Sequence, residues 1–171
     1  MDSATKHQLL SEIRQQWEEG RGGKILQQLL EIAFHQAGYK LLEERLSEGI
    51  DFDVELREAP HHRYSFEART TVNAHVPVKE EDLRQMDQRM RDGYEAGVAA
   101  LRIAAGCNWI FVERAWLQAP SVRVSLGTSE RWRELSESIN HHFDSVLEEL
   151  GPIARDRGLA GLAPYIRKAH L

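Results

Sequence analysis

Two neighbouring segments in the first half of the chain alternate apolar and charged or polar residues one by one. In residues 50–57 the apolar positions are Ile50, Phe52, Val54 and Leu56, and in residues 64–71 they begin with Tyr64, Phe66 and Ala68. A side-chain period of two is that of a β-strand with one buried face. Turn-forming residues around Pro60 separate the segments, so we predict an antiparallel hairpin at the centre of the fold.

Helical periodicity flanks this hairpin on both sides. Apolar residues step by three or four within residues 7–17, 22–37, 79–103 and 129–150, which predicts four amphipathic helices. Glycines in the run 20–23 are expected to break the first helix, Gly38 to stop the second, and Gly151 with Pro152 to stop the last. The tail from Ile153 is either a loose basic arm or a short docking helix.

Three shorter apolar segments complete the predicted sheet, at about residues 39–46, 108–112 and 122–126. The predicted order is α-α-β-β-β-α-β-β-α, in which three strands form an antiparallel meander and the long helix 79–103 crosses to a parallel strand. We therefore predict an α/β protein with a mixed sheet, in a single domain spanning 1–171. Its core covers about 22–128, with an N-terminal helix at 5–19 and a C-terminal helix and tail at 129–171.

The composition is that of an ordinary globular protein, with 171 residues, 42% hydrophobic and 29% charged. No apolar run approaches the ~18–20 residues that span a bilayer, and the N-terminus lacks the apolar core of a signal peptide. The single cysteine excludes an intrachain disulfide. We expect a cytoplasmic protein with no membrane partner. The net charge of −5 argues against a nucleic-acid packaging protein, although carboxylates that hold a divalent metal suit a nuclease.

Acidic residues of the hairpin are the candidate site. A turn centred near Pro60 places Asp53 opposite Glu67 and Asp51 opposite Arg69, all on one face. Facing carboxylates repel each other unless a cation lies between them, and Mg²⁺ is bound by one or two carboxylates with waters and a phosphate oxygen. Such a cation could hold a phosphate for attack by water. The same alternation is equally typical of a solvated sheet face.

Three stretches together resemble the PD-(D/E)xK restriction-endonuclease-like superfamily. They are the helix and Gly-Tyr of residues 22–39, Gly-Ile-Asp-Phe-Asp-Val at 49–54, and Tyr-Ser-Phe-Glu-Ala-Arg-Thr-Thr at 64–71. The resemblance covers about residues 22–116 and agrees with the αβββαβ order. It implies a restriction-endonuclease-like fold and a metal-dependent phosphodiesterase that uses Mg²⁺ or Mn²⁺.

The resemblance also assigns roles to residues. Asp51 matches the Gly-x-Asp signature, whereas Asp53 better suits the predicted register, so either could join Glu67 as a metal ligand, with the Ala68 carbonyl as a further one. Arg69 stands where the family has lysine. Arginine keeps its proton and cannot serve as a base, but it can hold a phosphate by paired hydrogen bonds.

The first core helix of the family often carries a glutamate ligand. Gln27 matches that position here, and Glu31 one turn later could substitute for it. We predict a nuclease that cuts DNA in preference to RNA, as a homodimer or within a larger complex. The alternative is a catalytically degenerate subunit of the same fold that binds nucleic acid or protein, which the replacement of lysine by Arg69 favours.

Overall fold

The computed structural model describes residues 1–17, 21–42, 51–103, 107–123 and 129–171. Its elements are α1 (Ser3–Gln16), α2 (Arg21–Gln36), β1 (Tyr39–Leu41), β2 (Phe52–Leu56), β3 (Ala59–Thr71), β4 (His75–Pro77), α3 (Glu80–Arg91), β5 (Glu95–Arg102), β6 (Trp109–Glu113), a 3₁₀ turn (Arg114–Trp116), β7 (Ser121–Arg123) and α4 (Glu130–Ala169). Within these ranges no helix is long and apolar enough to cross a membrane.

The main sheet has five strands in the order β1-β2-β3-β5-β6, and a small second sheet pairs β4 with β7. Strands β1, β2 and β3 form an antiparallel meander. Helix α3 then leads to β5, which lies parallel to β3, and β6 is antiparallel to β5. The predicted α/β class with a mixed sheet is confirmed, and the antiparallel meander is present, but the parallel strand after the crossover is β5 and not the predicted one.

Each face of the sheet is covered by a different layer, as the period of two requires. One face packs against α2 and α4 around large side chains, including Phe34, Phe66, Phe111 and Phe143. The other face packs against α3 and the small sheet through Val76, Met86, Val98 and Val122. Glu67 of β3 pairs with Val98 of β5, and Val98 packs on the α3 side. Because paired residues of neighbouring strands share a face, the odd-numbered side chains of β3 point toward α3.

The predicted crossover helix 79–103 is wrong beyond Arg91. Helix α3 ends there, Gly93 adopts φ 93°, and the following residues form β5. A run of alanine and valine is compatible with both the helical period and the strand period. Here every residue from Ala96 to Leu101 is buried because the strand lies between two layers. The strand predicted at 108–112 is β6, and it is antiparallel to β5 rather than the parallel partner of β3.

Two predicted helix boundaries near the N-terminus also differ. Helix α1 spans Ser3–Gln16 rather than 5–19, and the side chain of Asp2 caps it by accepting the N–H of Thr5 at 2.8 Å. Helix α2 already begins at Arg21, so Gly22 and Gly23 are helical. A Cβ on Gly22 would lie 3.0 Å from Cα of Arg14. The glycine thus serves the close approach of two helices rather than a break.

The predicted stop at Gly151 and Pro152 is wrong as well. Helix α4 continues to Ala169, with one non-helical residue at Gly158, where φ is 61°. A Cβ on Gly151 would lie 2.5 Å from Cδ2 of Leu9, so close packing against α1 stabilises the helix past the proline. Leu162 and Ala169 are fully buried, which makes the tail a docking helix and not a loose arm.

The remaining predicted strands are shorter in the structure or lie partly outside it. Of the strand predicted at 39–46, β1 covers Tyr39–Leu41, and positions 43–50 lie outside the described residues. Of the strand predicted at 122–126, β7 covers Ser121–Arg123, and 124–128 lie outside them. Gly20, predicted as part of the break after the first helix, also lies outside them.

Candidate functional site

The hairpin that carries the candidate residues has a different register from the predicted one. Asp53 pairs with Ser65, and Phe52 pairs with Phe66. The predicted pairs, Asp53 with Glu67 and Asp51 with Arg69, are therefore wrong by two positions. The cause is that β3 begins at Ala59, directly after a two-residue turn, with a bulge between Glu55 and Leu56. A shift of two leaves each side chain on its predicted face.

Asp53 is buried in an ion pair on the α3 side of the sheet. Its Oδ1 accepts the hydroxyl of Ser65 at 2.6 Å, and its Oδ2 contacts the guanidinium of Arg89. Both partners of the ion pair are about 4% exposed. Asp53 is thus paired with Arg89, whereas the other two predicted acidic ligands, Asp51 and Glu67, contact Arg69.

Arg89 is a partner of Asp53 that the sequence analysis did not identify. Its position three residues after the buried Met86 was the available signal. The guanidinium also stacks 4.8 Å from the ring centroid of Tyr94. Arg89 thus stabilises the contact between α3 and the sheet.

Asp51, Glu67, Ala68 and Arg69 do come together. The N–H of Ala68 donates to Oδ2 of Asp51 at 2.6 Å. Nη1 of Arg69 lies 3.5 Å from that same oxygen and 3.1 Å from the carbonyl oxygen of Ala68, while Nη2 contacts the carboxylate of Glu67. Two carboxylates and one carbonyl therefore meet at a single guanidinium.

Burial dominates the electrostatics of Asp51. Loss of solvent raises the pKa of this carboxyl above its ordinary value, although the Ala68 N–H, Arg69 and Lys24 all act in the opposite direction. Asp82 adds to the rise. The charged form of Asp51 is therefore less favourable here than in water even beside Arg69, and a further cation at this position would favour that form.

The two secondary candidates on α2 lie directly beside Asp51. Nε2 of Gln27 is 3.4 Å from the backbone oxygen of Asp51 and 3.4 Å from Oε1 of Glu31. Gln27 and Glu31 are both buried. Because they are four residues apart on one helix face, the amide links the glutamate to the strand.

A cavity of about 330 Å³ opens at this cluster. Its lining residues are Gly23, Lys24, Gln27, Asp51, Ala68, Arg69, Thr70 and Trp109. Lys24 and Trp109 are additions to the predicted site. Lys24 was identifiable from the sequence, because it lies three residues before Gln27 and so on the same helix face. Nothing local in the sequence places Trp109 of β6 near β3.

A metal at this site would have few protein ligands. In the part of the chain that the structure describes, no group of three or more His, Cys, Asp or Glu side chains is arranged to hold a metal ion. A divalent cation would therefore depend on Asp51, Glu67 and the carbonyl of Ala68. Hard oxygen donors of this kind, completed by water, suit Mg²⁺ or Mn²⁺.

Comparison of this chain with protein-family models, with curated proteins and with solved structures gives no match.

Proposed function

We propose that this chain is a divalent-metal-dependent nuclease of the restriction-endonuclease-like type that hydrolyses phosphodiester bonds, in DNA more than in RNA. The observation that carries the proposal is the convergence of Asp51, Glu67 and the Ala68 carbonyl on one cationic group. These are the groups that the resemblance assigns to the metal. The order α2-β1-β2-β3, then α3 and a parallel β5, supports the same family.

In this proposal Asp51, Glu67 and the Ala68 carbonyl hold Mg²⁺ or Mn²⁺. The bound metal would supply an activated water and positive charge beside the phosphate. The guanidinium of Arg69 must then leave the carboxylates, because a metal and a guanidinium compete for the same oxygens. Arg69 is about one-third exposed, so it can turn into the cavity and hold a phosphate by paired hydrogen bonds.

The wall of the cavity supports substrate binding. Lys24 adds a positive charge that attracts phosphate, and Thr70 adds a hydroxyl donor. Gln27 holds the backbone of Asp51 and so positions the carboxylate. Because arginine cannot accept a proton, the chain's own residues bind and orient the phosphate rather than abstract a proton.

The test compares cleavage of single- and double-stranded DNA and RNA in Mg²⁺ and Mn²⁺ by the wild type and two variants. Glu67→Gln removes the charge of a proposed ligand, and we expect cleavage to fall by at least about a hundredfold. Glu55→Gln, on β2 and away from the cavity, is the matched control and should cleave normally. Equal melting temperatures would show that both variants fold. Full activity of Glu67→Gln would rule out this mechanism.

The pairing of Arg69 with both carboxylates also favours a second candidate function. A built-in guanidinium already offsets part of the negative charge of the cluster, as expected of a metal-free subunit of this fold that binds nucleic acid or a protein partner. Titration with Mn²⁺, followed by electron paramagnetic resonance, separates the two. Saturable binding that Glu67→Gln abolishes supports the nuclease, whereas no binding by the wild type supports the metal-free subunit.

A further inference from the structure

A second cavity, of about 280 Å³, lies at the end of β3. Its lining residues are His7, Ser11, Arg14, Gln15, Val72 and Ile103. The first four belong to the polar face of α1. Val72 directly follows the last residue of β3 and is 46% exposed, which is unusual for a valine in a polar surrounding.

The two cavities adjoin the same strand end. A Cβ on Gly23 would lie 3.7 Å from Oγ1 of Thr70, which places the first turn of α2 against the strand. The close contact of Gly22 with the backbone of Arg14 brings α1 to the same place. Thr70 lines the first cavity and Val72 the second. Two residues of extended chain span roughly 7 Å, so the cavities are adjacent along β3.

Basic side chains occur in both cavities. Lys24 and Arg69 line the first together with Asp51, to which Arg69 is paired, and Arg14 lines the second. The described lining of the second cavity contains no carboxylate. In a chain of net charge −5, a local row of cations favours a polyanion at this surface.

We propose that a single strand of nucleic acid runs from the first cavity past Thr70 and Val72 into the second, where Arg14 contacts a backbone phosphate. This inference rests on the proposed function and extends it to the path of the substrate. Two separate cavities of this size each suit one nucleotide rather than a duplex. Exposed Val72 offers apolar surface to an unpaired base, which only a single strand presents.

The experiment measures binding of a fluorescein-labelled 12-nucleotide single-stranded DNA by anisotropy, in EDTA and at several salt concentrations. We expect Arg14→Ala to weaken binding by about three- to tenfold, and to reduce the slope of log K against log salt by about 0.7, the value for one phosphate contact. Arg133→Ala is the matched control, because Arg133 is an exposed arginine of α4 outside both cavities. It should change neither value.

A second pair of variants tests the apolar contact without risk to folding, since Val72 is exposed. Val72→Asp places a negative charge on the path and should weaken binding at least as much as Arg14→Ala. Val72→Thr should bind like the wild type. A duplex of the same sequence should bind without dependence on Arg14.

Failure of this inference differs from failure of the proposed function. Hydrolysis of bis(p-nitrophenyl) phosphate with Mn²⁺ by the wild type needs only the first cavity, so it tests the proposed function without the path. If that hydrolysis occurs but the wild type binds no single strand, or Arg14→Ala binds like Arg133→Ala, the path is wrong and the nuclease stands. If the small phosphodiester is not hydrolysed, the nuclease proposal fails.

Discussion

Arg69 is the residue whose chemistry decides what this site does. Its guanidinium contacts Glu67, Asp51 and the carbonyl of its neighbour Ala68, so it lies against the oxygens that would bind a metal. A flexible lysine in that position has a compact charge, whereas the planar guanidinium forms several hydrogen bonds at once. The natural arginine therefore both stabilises the empty cluster and competes with any cation that enters it.

We expect Arg69→Met to have opposite effects on metal binding and on cleavage. Removing the competing cation should raise Mn²⁺ affinity by about tenfold. This corresponds to the lower end of the free-energy range for charge-assisted hydrogen bonds, because the Arg69 side chain is one-third exposed. Cleavage should fall by about tenfold or more, since the phosphate loses its clamp. Arg69→Lys should retain cleavage. Calorimetry and a cleavage assay measure the two effects, and lower Mn²⁺ affinity in Arg69→Met would contradict the competition.

Asp51 gives a prediction about stability and pH. Burial raises its pKa in the folded protein above the ordinary 3.8, so its contribution to stability is present below pH 3.8 and is lost as pH rises through the raised value. Asparagine can still accept the Ala68 N–H but carries no charge. Asp51→Asn should therefore melt at or above the wild-type temperature at pH 7, with the difference shrinking toward pH 3. Melting curves at several pH values would show it. A marked loss of stability at pH 7 would mean that Arg69 outweighs burial.

At the scale of elements, the hairpin was predictable because its side chains alternate strictly. Its register was not, because the turn was centred near Pro60 while the actual turn ends at Glu58. Strand β5 was missed because short apolar residues buried on both faces carry no period of their own. The stop predicted at Gly151 failed because packing against Leu9, distant in sequence, outweighs local helix propensity.

The same limit applies to the candidate site. The cluster of Asp51, Glu67 and Arg69 was predictable because all three belong to one hairpin. The ion pair of Asp53 with Arg89 joins a strand to a helix 36 positions away, and Trp109 reaches the cavity from β6. Such contacts depend on the order of strands in the sheet, which no local pattern contains.

Gly97 of β5 provides a test of how tightly the layers pack. A Cβ there would lie 2.3 Å from the carbonyl oxygen of Val112 and 2.9 Å from the ring of Trp132. Gly97→Ala should therefore lower the free energy of unfolding by about 1–3 kcal/mol. Gly23→Ala is the opposite control, because its Cβ would meet only Thr70 at 3.7 Å and a helix favours alanine by roughly 0.5–1 kcal/mol. Urea denaturation would measure both, and equal stability of Gly97→Ala and wild type would contradict the packing.

Over the whole molecule, the net charge and the local charge differ in sign. The chain carries −5, yet the described linings of the two cavities carry Lys24, Arg69 and Arg14 against the single carboxylate of Asp51. Repulsion from the rest of the protein surface opposes nonspecific binding to a polyanion, whereas the local cations favour binding in one orientation. Association with nucleic acid should accordingly be orientation-dependent and sensitive to salt.

The parallel pairing of β3 with β5 also orders events in time as the chain folds. The hairpin of β2 and β3 joins residues close in sequence, so Asp51 and Glu67 can meet early. Parallel pairing joins positions that are farther apart in sequence, such as Tyr64 and Glu95. The chain between them must close into a larger loop before the new contacts offset the lost entropy. Trp109 follows on β6. The refolding chain should thus acquire its acidic cluster first and the cavity that encloses it last.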